Sequence, residues 1–188
     1  MSSSLRHLPN IISVARILLV GPITWCLLNG EFTLGIWLFL LAGASDGLDG
    51  FLAKRFGWSS RLGGILDALA DKFLLVSTFV CLWWLGIFPW WLVMSVLARD
   101  LLIVIGATIY NFRIETVQPE PTLISKLNTV LQIALAAVGV AALGFTGVPG
   151  WVVETLIWAV MVTILLSGTG YVREWSRRAR VVGSRHDV

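Results

Sequence analysis

Apolar residues run for roughly 20 positions, give way to a short polar break, and resume, six times along the chain. One run of that length crosses the hydrocarbon core of a bilayer as an α-helix. The runs cover about 11–29, 32–53, 62–86, 90–112, 123–144 and 149–171. They predict an all-α, polytopic membrane protein with six transmembrane helices. No repeat, low-complexity stretch or soluble module interrupts them. The reading is therefore a single membrane domain over 1–188, with an interfacial segment at 1–10 and a basic cytoplasmic tail at 172–188.

The polar breaks fall into two classes. Those near Asn29–Glu31, Gly86–Pro89 and Gly144–Gly150 contain no Lys or Arg. The opposite side collects Arg6, Lys54, Arg55, Arg61, Arg113, Lys126, Arg173, Arg177, Arg178, Arg180 and Arg185. Positive residues are retained in the cytoplasm, so both termini are expected there. Trp83, Trp84, Trp90, Trp91 and Trp151 mark the outer interface, and Trp58 and Trp175 the inner one.

Composition agrees. Hydrophobic residues make up 57% of the 188 positions and charged residues only 13%, which excludes an ordinary soluble domain. The net charge is +3, and its basic residues are scattered along one membrane face, so no nucleic-acid partner is expected. The W-S-R-R-A-R tail suits anionic lipid heads. Cys26 and Cys81 read as small apolar fillers, with a disulfide as the alternative. The N-terminal segment is too short and too little charged for a transit peptide, and no cleavage site follows the first run. The expected location is a bacterial inner membrane.

Four aspartates break the apolar pattern. Asp46 and Asp49 are three apart near the end of the second run, and Asp67 and Asp71 are four apart near the start of the third. Each pair lies on one face of its helix. A short cytoplasmic loop joins the two helices, so the acids meet at one depth, open to water and to lipid. Four carboxylates at membrane depth need neutralisation. Divalent cations such as Mg²⁺ or Mn²⁺ suit hard oxygen ligands, whereas Lys54, Arg55, Lys72, Arg16 and Arg99 are too few for a structural ion-pair network. Two metals bridged by carboxylates can stabilise the attacking and leaving oxygens of a displacement at phosphorus. The residues thus point to a metal-dependent membrane enzyme acting on a phosphate ester, with a cytoplasmic active site. Gly47, Gly50, Gly63 and Gly64 flank the acids and let helices or a phosphate come close. An ion or metal transporter is the rival from another class. Against it, the sequence shows no second acidic station toward the outer face and no paired helix breaks in two halves.

The pattern D-x-x-D-G-x-x-A followed by G-x3-D-x3-D resembles the signature of the CDP-alcohol phosphotransferases (phosphatidyltransferases). It runs through Asp46, Asp49, Gly50, Ala53, Gly63, Asp67 and Asp71, and the P-N-I-I-S-V-A-R segment at 9–16 also resembles that family. One departure is Lys54, where the family usually has Arg; Arg55 follows it. The resemblance implies two divalent ions, one on Asp46, Asp49 and Asp67, the other on Asp46, Asp67 and Asp71. It implies Asp71 as the catalytic base. Gly50, Ala53, Lys54, Ser60 and Gly63 would contact CDP-diacylglycerol, with Pro9 and Asn10 beside it. It also implies a homodimer.

The segments A-R-D-L-L-I-V-I-G-A (98–107) and P-T-L-I-S-K-L-N-T-V-L-Q (121–132) resemble those of CMP-forming cardiolipin synthases. That similarity implies phosphatidylglycerol as the acceptor of the phosphatidyl group, giving cardiolipin and CMP. Arg99, Lys126 and Asn128 are the acceptor-side candidates. The alternative is a phosphatidylglycerolphosphate synthase using glycerol 3-phosphate, which wants more cations than this chain offers, and Ala107 stands where such an enzyme is expected to have Arg. Two charges inside the helices have simpler readings. Arg16 is expected to snorkel toward the cytoplasmic interface, with substrate contact as the alternative, and Arg99 and Asp100 are expected to pair within the bundle.

Overall fold

A computed structural model describes the backbone of residues 8–56, 61–113, 123–145 and 147–186. Within these it describes the side chains of 11–47, 63–64, 66–105, 123–145 and 147–168. Among the described residues the chain forms six α-helices and no strand: α1 (Leu8–Leu28), α2 (Phe32–Phe56), α3 (Arg61–Trp84), α4 (Trp90–Arg113), α5 (Leu123–Gly144) and α6 (Gly150–His186). Every predicted run became a helix. Boundaries shift by up to three residues, and the end of α6 by more. α1 begins at Leu8 rather than near 11, with Pro9 in its first turn, where a missing N–H costs nothing. α6 does not stop near 171 but carries the basic stretch to His186 as continuous helix. The stretch E-W-S-R-R-A-R-V-V has no Pro or Gly, and Arg and Ala favour helix, so charge alone did not end it.

Tight turns close one end of the bundle. At the end of α1, Glu31 N–H donates to Cys26 C=O and Gly30 N–H to Leu27 C=O. At the end of α3, Ile87 N–H donates to Leu82 C=O and Gly86 N–H to Trp83 C=O. Both patterns are the doubled helix-ending bonds that need a left-handed residue, and Gly30 and Gly86 supply it with φ of 82° and 79°.

α1 packs on α2 and α3, and α5 packs on α6, α2 and α3. The buried core is centred near the closed end, where Leu27, Phe79, Leu82, Phe88, Leu92 and Val140 are sealed. The Phe79 and Phe88 rings lie 5.1 Å apart. Cys26 and Cys81 are buried free thiols in this core, so the small-filler reading holds and no disulfide joins them.

The outside of the bundle is as apolar as its inside. Leu18, Trp37, Leu102, Trp151 and Leu165 all project outward and exposed. A contiguous surface of this kind belongs in lipid. Among the described residues, three helices are long and apolar enough to cross a membrane: Ile11–Leu28, Leu123–Gly144 and Gly150–Gly168. α2 adds a shorter apolar stretch, Phe32–Gly47, which ends at the first of its aspartates, Asp46. The fold is that of an all-helical membrane protein.

Candidate active site

Polar side chains gather at the end of the bundle opposite the tight turns. α1 contributes Arg16, α2 contributes Asp46, and α3 contributes Asp67 and Asp71 one turn apart. Because α1 lies against both α2 and α3, a single guanidinium reaches both acidic helices. Arg16 Nη1 donates to Asp46 Oδ1 at 2.5 Å and to Asp67 Oδ1 at 3.1 Å. This corrects the snorkelling expectation for Arg16. Its side chain is 1% exposed, whereas Asp46 and Asp67 are 40% and 42% exposed. A charge stays so deep because two carboxylates meet it there; turning to the interface would forfeit both.

Asp71 joins the group through space rather than by a bond. With Arg16 and Asp46 it lines a cavity of about 330 Å³ between α1, α2, α3 and α5. The other walls are apolar, among them Phe39, Leu74, Leu75 and Ile133. A charged rim over an apolar pocket suits a ligand with an ionic head and a hydrocarbon body.

A second polar chain begins next to Asp71. Lys72 Nζ donates to Asp100 Oδ2 on α4. Arg99 Nη1 donates to Asp100 Oδ1 at 2.8 Å, so the expected Arg99–Asp100 pair is present, and Arg99 Nη2 donates to Ser125 Oγ on α5 at 2.6 Å. One turn along α5, Asn128 Oδ1 accepts from Thr163 Oγ1 on α6 at 2.9 Å. Ser125, Asn128 and Gln132 form one inward stripe on α5. Among the described residues, Arg99 Nε, Asn128 Nδ2 and Gln132 Nε2 are buried donors without a hydrogen-bond partner. Donors held this way have capacity for oxygen acceptors. Among the acceptor-side candidates, Arg99 and Asn128 are thus neighbours on this chain, while Lys126 points outward and is exposed.

The remaining candidates divide by position. Gly63 is half-buried in the first turn of α3, ahead of Asp67. Asp49, Gly50, Ala53 and Lys54 lie on the α2 backbone and Pro9 and Asn10 on that of α1, but their side chains lie outside the described residues, as does Ser60 entirely. Among the described residues no three His, Cys, Asp or Glu side chains form a ready metal cage. The donor chemistry nevertheless fits a divalent ion. The donors are hard carboxylate oxygens, and two of them, from different helices, already converge on one cationic nitrogen. Sequence reasoning placed Arg16 and Lys72 near the acids but missed Arg16 as their partner and the pairing of Lys72 with Asp100, and it missed Ser125, Gln132 and Thr163. The available signal for Arg16 was a lone charge in an apolar run at the depth of the aspartates. For Gln132 it was a polar residue seven positions beyond Ser125 on one helix face.

The model of the CDP-alcohol phosphatidyltransferase family matches residues 6–167. A Drosophila melanogaster protein named "Probable cardiolipin synthase (CMP-forming)" is 32% identical over 155 residues, covering 74% of this chain and 48% of the relative. A Streptomyces coelicolor "Cardiolipin synthase (CMP-forming)" is 40% identical over 107 residues, covering 53% of this chain and 50% of the relative. A chloroplastic CDP-diacylglycerol–glycerol-3-phosphate 3-phosphatidyltransferase of Oryza sativa is 32% identical over 184 residues, 88% of this chain and 56% of the relative. The chain spans about half the length of the curated relatives it matches.

Proposed function

The chain belongs to the CDP-alcohol phosphatidyltransferase family, and from that premise we propose that it transfers a phosphatidyl group from CDP-diacylglycerol to the free hydroxyl of phosphatidylglycerol. The products are cardiolipin and CMP. The observation that carries this reading is the meeting of Asp46 and Asp67 on Arg16, beside an apolar cavity that Asp46 and Asp71 line. The names of the Drosophila and Streptomyces relatives support the acceptor.

In this reading, the acceptor oxygen attacks the phosphorus that carries diacylglycerol. The bond from that phosphorus to the CMP oxygen breaks, and CMP departs. Asp71 takes the proton of the acceptor hydroxyl. Asp46, Asp49 and Asp67 would hold one divalent ion and Asp46, Asp67 and Asp71 a second, as Mg²⁺ or Mn²⁺, and when bound these neutralise the diphosphate and ease CMP departure. Gly50, Ala53, Lys54, Ser60 and Gly63 would seat CDP-diacylglycerol, with Pro9 and Asn10 beside it and Lys54 acting as a point charge on a diphosphate oxygen. On the acceptor side, the buried amide donors of Asn128 and Gln132, unpartnered among the described residues, suit glycerol or phosphate oxygens, and Arg99 supplies positive charge. Both substrates are lipids, so they can enter sideways with their heads at the depth of the aspartates.

The same reading places six spans in a bacterial inner membrane, with both termini cytoplasmic and a homodimer as the assembly. The second reading takes glycerol 3-phosphate as acceptor, and the Oryza relative, which covers most of this chain, favours it. Purified protein given CDP-diacylglycerol and either phosphatidylglycerol or glycerol 3-phosphate separates the two. Mass spectrometry is expected to find cardiolipin with the first acceptor and little phosphatidylglycerolphosphate with the second. The reverse pattern would overturn the acceptor and leave the aspartate chemistry standing.

A further inference from the structure

We propose that Arg16 is the internal counter-ion of the aspartate site and competes with a divalent ion for the same oxygens. The inference rests on the divalent-ion reading of Asp46 and Asp67. One nitrogen, Nη1, bridges Asp46 Oδ1 and Asp67 Oδ1 across two helices. A divalent ion held by Asp46 and Asp67 would draw on the same two carboxylates. An oxygen that accepts a short charged hydrogen bond is a weaker donor to a metal, so the guanidinium and the ion draw against each other.

Exposure makes the exchange workable. The arginine is enclosed at 1%, while the carboxylates it bridges are open at 40% and 42%. An ion arriving from water therefore meets the acids on their open side, not through the arginine. Arg16 also borders the cavity of about 330 Å³, which gives its side chain space to turn away. The exchange tunes affinity downward. Arg16 keeps the carboxylates compensated before an ion binds, and the ion is held less tightly than by bare carboxylates.

The test compares wild type with Arg16→Met, which keeps a flexible apolar stem and removes the charge. Mn²⁺ binding is measured by calorimetry in detergent micelles, and thermal unfolding is followed with chelator and with saturating Mn²⁺. Arg16→Met is expected to bind Mn²⁺ roughly tenfold tighter than wild type. It should melt below wild type in chelator and gain more from Mn²⁺. Arg16→Lys keeps one charge on a shorter stem without the fork, and is expected to fall between the two. If Arg16→Met does not stay folded, Arg16→Lys decides the matter, by binding tighter than wild type. Equal or weaker Mn²⁺ binding by the folded variants overturns the competition while leaving the metal reading intact. A wild type that binds no Mn²⁺ overturns both.

Discussion

The two ends of this bundle are built on opposite rules. At the end with the tight turns, Leu27, Leu82, Phe88, Leu92 and Val140 are sealed, and shape alone holds the helices together. At the other end, Arg16, Asp46, Asp67, Lys72, Asp100, Arg99, Ser125 and Asn128 hold them through charge pairs and hydrogen bonds. α3 belongs to both: Phe79 and Leu82 anchor its far half, and Asp67 and Asp71 arm its near half. The difference teaches that stability and chemistry are separable along one helix. A packed end fixes where the helices stand, so the polar end can keep acids half-open to solvent without the fold depending on them alone.

That separation can be broken from either end. The largest effect is expected from Asp71→Asn, since an amide cannot take a proton. CMP release from CDP-diacylglycerol should fall by about 10²–10⁴-fold, while thermal unfolding stays close to wild type. Near-normal turnover would remove Asp71 as the base. Leu82→Ala makes the opposite cut. It should lower unfolding stability by about 2–5 kcal/mol, leaving the turnover of the folded fraction near wild type. A comparable loss of turnover in folded Leu82→Ala would show that the two ends are coupled.

Asn128→Leu sharpens the division within the polar end. It removes one of three acceptors of the Thr163 hydroxyl, leaving the Ala159 and Val160 carbonyls, and it removes the buried Asn128 amide donor offered to the acceptor lipid. Transfer to phosphatidylglycerol should drop by about tenfold, in line with an unmet buried hydrogen bond of about 1–3 kcal/mol. Binding of CDP-diacylglycerol should change much less. The smallest effect is expected from Gly86→Ala, which forces a side chain into a left-handed turn. It should cost about 1–2 kcal/mol of stability, read as a fall of a few degrees in Tm with turnover kept.

Much of this arrangement was legible beforehand, for identifiable reasons. The helices follow from apolar runs of membrane length, because lipid leaves the backbone few alternatives. The aspartates stood out because charge is rare in such runs and their spacing puts each pair on one helix face. What stayed hidden depends on rotation and on contacts between distant segments. Arg16 has a clear depth in the sequence, but its direction around α1 is settled by packing against α2 and α3. Gln132 looks like one stray amide until α5 turns it toward the core. The helical continuation of α6 was missed because a basic run was read as a tail, although its residues favour helix.

Metal-dependent phosphatidyl transfer to a lipid acceptor, as proposed for the polar end, has a direct readout in vesicles holding the protein and CDP-diacylglycerol, with CMP and cardiolipin quantified together as phosphatidylglycerol, Mg²⁺ and chelator are varied. Equal amounts of CMP and cardiolipin are expected, formed only when both phosphatidylglycerol and the divalent ion are supplied. Undiminished product in excess chelator, or CMP release with no cardiolipin, would contradict it.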